Sequence, residues 1–94
     1  MLNSALNFAR ANKQSHLSGL CDWLRIPSIS TQPEHVPEVR HAAEYAARYL
    51  HDMGISKVEI RETKGHPIVY AEWLEAIDLQ TLLIYGHFDV LVGH

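Results

Sequence analysis

Apolar residues change their spacing along this chain, and each change predicts a different backbone. Leu2, Leu6 and Ala9, then Leu17, Leu20, Cys21 and Leu24, recur at helical intervals. Polar Asn12-Lys13-Gln14 interrupts the series and Gly19 weakens it, so the stretch predicts one kinked helix or two short ones. Arg25-Ile26-Pro27-Ser28-Ile29-Ser30-Thr31-Gln32-Pro33 predicts a loop, because each proline lacks an N–H donor and biases the preceding residue away from helix. Pro37 then suits the first turn of a second helical segment, in which Val36, Val39, Ala43, Ala46, Leu50 and Met53 alternate steps of three and four. Gly54 stops it as the residue just past the end. Its polar face carries Glu38, Arg40, Glu44, Arg48, His51 and Asp52, with Glu44 and Arg48 spaced for a pair worth about 0.3–0.5 kcal/mol. The alanines suit close packing on a sheet better than a coiled coil, whose repeat would need more heptads.

Beyond Gly54 the period becomes two. Val58 and Ile60 alternate with Lys57, Glu59 and Arg61, a half-exposed strand. Thr63-Lys64-Gly65-His66-Pro67 turns the chain into a second strand over residues 68–74. Glu75-Ala76-Ile77-Asp78 is short enough for a hairpin connection into a third, residues 79–85. Parallel pairing needs a long crossover, so successive strands here are expected to be antiparallel neighbours. The prediction is an α/β chain: two helical segments, then three strands.

Composition narrows the functional classes. Ninety-four residues with 47% apolar content and a net charge of −3 fit one small globular core. They give no reason to expect a nucleic acid or an anionic membrane as partner. The start lacks the layout of a secretion signal and no apolar run approaches a membrane span, so the expected address is the cytoplasm. The single cysteine, Cys21, excludes an internal disulfide framework and is expected to pack as a small apolar side chain.

Candidate chemistry lies at the end of the third predicted strand, where Leu82-Leu83-Ile84-Tyr85 runs into Gly86-His87-Phe88-Asp89. In open α/β sheets, chemistry gathers just beyond the carboxyl ends of such strands. Extended backbone sends residues i and i+2 to one side, so Asp89 can approach the imidazole of His87, as carboxylates do when they fix the tautomer of a metal-binding histidine. Gly86 would allow close backbone approach. Spacing alone is weak, since a chain with seven histidines yields a His-x-Asp pair readily by chance, and a purely structural pairing is the competing reading. A zinc site also needs at least three protein ligands. His35, His41 and His51 have the wrong spacing for a helical metal motif and read as solvated surface. His16 and His66 have no carboxylate at ligand spacing, and His94 is not recruited. Ser28 and Ser30 lie in no nucleophile elbow and read as loop or cap hydroxyls.

Three stretches taken together resemble the N-terminal portion of the dizinc metallopeptidase superfamily of aminoacylases, glutamate carboxypeptidases and carnosinase-type dipeptidases. Arg25-Ile26-Pro27-Ser28-Ile29-Ser30 resembles the loop after the family's first helix, and Val69-Tyr70-Ala71-Glu72-Trp73 a strand of the dipeptidase-like branch. Residues 82–90 resemble the zinc-binding strand, with Phe88 where tyrosine is often found. After Val90 the family pattern usually continues Gln-Pro, whereas this chain reads Leu91-Val92-Gly93-His94.

The resemblance implies a partial zinc-peptidase catalytic domain over residues 1–94, with strands of a mixed sheet and without the lid or dimerisation domain. It implies that His87 ligates one of two Zn2+ ions and that Asp89 orients its ring. By this resemblance the intact enzyme would be a homodimeric hydrolase in which a zinc-bridged water would attack the amide carbonyl of a dipeptide or related small amide after a glutamate takes its proton. That glutamate and the remaining ligands correspond to no residue here, so the chain alone is expected to be inactive. Two alternatives stay open: a small non-enzymatic α/β module that binds a partner through the exposed strand or second helical segment, and an oligomer whose copies pool histidines around a shared metal.

Overall fold

A computed structural model of the chain describes residues 1–92, so the terminal Gly93-His94 lies outside it. The first apolar series forms two short helices, α1 (Leu2–Ala11) and α2 (Lys13–Leu24). The break falls at Asn12, whose side-chain amide donates to the Phe8 carbonyl at 2.9 Å, the local competition with helical bonding that asparagine offers. Gly19, the other expected weak point, sits inside α2. A β-carbon there would lie 3.3 Å from the Tyr49 ring, and the Gly19 carbonyl accepts a hydrogen bond from the Tyr45 hydroxyl at 2.9 Å. Its role is close approach between helices.

The loop leads through a single 3-10 turn, Pro33–His35, into α3 (Val36–Asp52), with Pro37 in its first turn. At the other end Gly54 adopts φ +93°, its N–H bonds the His51 carbonyl at 3.0 Å, and the Ile55 N–H bonds the Leu50 carbonyl at 3.2 Å. These are the paired bonds of a Schellman cap. The inner face of α3 buries Val39, Ala42 and Ala43. Met53, expected on that face, is exposed. The polar face pairs through Arg40 and Glu62.

Strands β1 (Lys57–Arg61) and β2 (Ile68–Glu72) pair antiparallel with Lys57 opposite Glu72 and Arg61 opposite Ile68. Helix α3 packs against both strands. On β2, Tyr70 donates to Glu72 at 2.9 Å, and the Arg61 guanidinium lies 4.0 Å from the Tyr70 ring centre. The core is small: among the described residues, Ile26, Ser28, Val39, Ala42 and Ala43 are buried. The α/β class and the antiparallel hairpin match the sequence pattern.

The third strand does not form. Among the described residues the sheet has two strands, and residues 82–85 are 81–90% exposed. An apolar branched run supplies strand propensity, but a strand exists only through a ladder partner. A turn is present at residues 75–79, with Asp78 at φ +68°, yet it does not return the chain onto β2. The radius of gyration, 15.4 Å, exceeds the roughly 12 Å of a compact chain this long, because α1 and residues 79–87 carry little packing. No helix among the described residues is long and apolar enough to cross a membrane.

Candidate functional site

Residues 88–90 return to the body of the protein and dock on the loop after α2. The Val90 N–H donates to the Ser28 carbonyl at 3.0 Å, and the Ser28 hydroxyl donates to the Phe88 carbonyl at 3.2 Å. Ser28 is only 1% exposed, so its hydroxyl needs this partner. Phe88 stacks on Trp23 with ring centres 6.2 Å apart, and Trp23 stacks in turn on Tyr45 at 6.3 Å. The Trp23 indole N–H is anchored by the Ala42 carbonyl at 3.0 Å.

Phe88, Asp89 and Val90 are half-buried and His87 is exposed, with Asp89 lying between the His87 ring and the Ser30 hydroxyl of the loop. The His87 Nδ1 lies 2.8 Å from Asp89 Oδ1, with the side chains 79% and 38% exposed. Asp89 Oδ2 accepts from the Ser30 hydroxyl. Donation by Ser30 first, then by His87, holds the Asp89 carboxyl below its ordinary pKa, against a smaller upward push from partial burial. An ionised carboxylate only accepts hydrogen bonds, so Nδ1 of a neutral His87 carries the proton and Nε2 is left with its lone pair.

No protein-family model and no solved structure matches this chain.

The two residues singled out in the sequence therefore meet, though not for the whole of the expected reason. Asp89 sits within the docked segment and His87 just before it, instead of both capping a buried strand. Nothing lies within 4 Å of a β-carbon built on Gly86, so the expected close backbone approach does not occur there. Ser28, Ser30 and His66 are residues that the sequence reading passed over. His66 Nε2 lies 2.9 Å from the Ser30 carbonyl and, facing an acceptor, donates to it. The signal available was the Ser28-Ile29-Ser30 spacing within the loop after α2. The other histidines stay apart: His51 lies beside Asp52 at 3.3 Å, His35 lies beside Glu38 at 3.3 Å, and His16 lines an apolar groove between α2 and α3.

The donor chemistry at His87 suits a zinc ligand: an exposed imidazole whose other nitrogen is tied to a carboxylate. Among the described residues, no group of three or more His, Cys, Asp or Glu is placed to hold a metal ion. The fit extends to one corner of a metal site, and no closed zinc centre is assembled by these residues.

Proposed function

We propose that this chain contributes the His87–Asp89 corner of a dizinc peptidase acting on dipeptides or related small amides. The carrying observation is the 2.8 Å contact between His87 Nδ1 and Asp89 Oδ1, which leaves Nε2 as the free donor atom of an exposed ring. Support for the substrate class and for a homodimeric whole enzyme comes from the family resemblance of residues 25–30, 69–73 and 82–90. In this reading His87 is the ligand and Asp89 orients it, while further ligands and the general base come from outside the described residues. Zinc, when bound in such a site, acts as Lewis acid and activator of water. No hydrolytic step is assigned to this chain's own residues.

The test is zinc-dependent dipeptide hydrolysis by the full-length protein that carries these residues. His87→Ala is expected to abolish both hydrolysis and one equivalent of bound zinc. Full activity in that variant would overturn the reading. The 94-residue chain alone is expected to bind zinc no tighter than any histidine-bearing surface, and a stoichiometric submicromolar site by calorimetry would contradict the one-corner assignment.

A second reading, a partner-binding module, draws support from the exposure of residues 82–85. Partner binding that survives His87→Ala and needs no metal would favour it.

A further inference from the structure

The contacts around Asp89 extend beyond the His-x-Asp pair. Its carboxylate has two oxygens, and each meets one donor: Oδ1 faces His87 and Oδ2 faces Ser30. Ser30 lies 59 residues away in sequence from Asp89, in the loop after α2. That loop is itself held. Ser28 grips the backbone on both sides of Asp89, through the Phe88 carbonyl and the Val90 N–H. On its other flank, His66 Nε2 donates to the Ser30 carbonyl at 2.9 Å.

We infer that Ser30 is a positioning residue for His87: its hydroxyl locks the Asp89 carboxylate in the rotamer that accepts from Nδ1, and His66 steadies the backbone that presents that hydroxyl. The inference rests on the reading of His87 as a metal ligand and names what aims it. Physically, Asp89 is partly exposed and its side chain turns about two bonds. A carboxylate tied at one oxygen only exchanges that bond for water, whereas one tied at both has a single orientation. With the carboxylate locked, the proton of a neutral His87 stays on Nδ1, and Nε2 presents its lone pair continuously. Removing the Ser30 hydroxyl frees the carboxylate, and the ring returns toward the mixture of tautomers of an unconstrained histidine. Ser30 touches no substrate or metal in this account and acts only through Asp89.

The experiment uses the 94-residue chain. Nitrogen-15 correlation spectra of the His87 ring, at a pH where the imidazole is neutral, give the ratio of Nδ1–H to Nε2–H tautomers. Ser30→Ala is expected to lower that ratio about three- to tenfold, the effect of losing one hydrogen bond of ordinary net strength. Ser30→Thr, which keeps a hydroxyl, restores it. Exchange protection of the Val90 amide, measured alongside, reports whether residues 88–90 remain docked. An unchanged ratio in Ser30→Ala, or a ratio that Ser30→Thr fails to restore while Val90 stays protected, overturns the inference. Neither result depends on hydrolysis. If His87→Ala leaves zinc-dependent hydrolysis intact in the full-length protein, the ligand reading fails while the tautomer result stands.

Discussion

Replacing Phe88 by alanine tests whether the candidate site is held from beneath. Phe88 is half-buried and stacks on Trp23 at 6.2 Å between ring centres. Fully burying a phenylalanine is worth roughly 1.5–3 kcal/mol, so half-burial contributes about 0.8–1.5 kcal/mol. The stacked pair adds about 0.5–1.5 kcal/mol. Together, Phe88→Ala should cost the docked segment about 1.3–3 kcal/mol, a factor of about 9–160 in the equilibrium between docked and released forms. The cost is local, because β1 and β2 pair with each other and pack on α3 without Phe88. Native-state hydrogen exchange resolves it. The Val90 amide, bonded to the Ser28 carbonyl, should lose that factor of protection, while the amides of the β1–β2 ladder keep theirs. Phe88→Leu should fall between. Unchanged Val90 protection in Phe88→Ala would show that the ring does not anchor the site. An equal loss throughout the chain would show that docking is part of global folding.

Three further outcomes are expected. Folding lowers the Asp89 pKa below its ordinary 3.8, so the docked segment has its full share of that stability above this value and loses it as pH falls through the lowered folded value. Normalised Val90 protection should therefore hold down to about pH 5 and fall below about pH 4. Asp89→Asn should remove that dependence, and an acid response unchanged in the variant would contradict it. At Gly54, where φ is +93° and space is open, alanine should cost about 1 kcal/mol through backbone strain alone. In a domain of this size that lowers Tm by about 4–8 °C, and an unchanged Tm would count against the cap geometry. The exposed run at residues 82–85 should drive concentration-dependent association by size exclusion, relieved by Ile84→Lys. A monomer of constant elution volume in the unsubstituted chain would refute this.

Much of the fold is legible in local pattern because it is decided locally. The alternating Val58 and Ile60, the Schellman glycine at position 54 and the alanine face of α3 each declare themselves within a few residues. Spacing could also bring His87 and Asp89 together, since i and i+2 share a side of any extended chain. What pattern could not show is long-range. Whether residues 79–85 become a strand depends on a partner, and propensity alone gave the wrong answer there. The support of Asp89 by Ser30 joins positions 59 residues apart, and a serine in a proline-rich loop looks the same with or without that partner. Gly19 looks like a weakness to propensity, which sees a missing side chain and not the Tyr49 ring packed close to it.

The most direct measurement concerns the proton on the His87 ring in the unsubstituted chain. Long-range nitrogen-15 correlations at neutral imidazole should find it on Nδ1, facing Asp89, with Nε2 unprotonated and open to solvent. A ring protonated chiefly on Nε2 would mean that Asp89 does not hold it, and the assignment of His87 as an aimed ligand would fail.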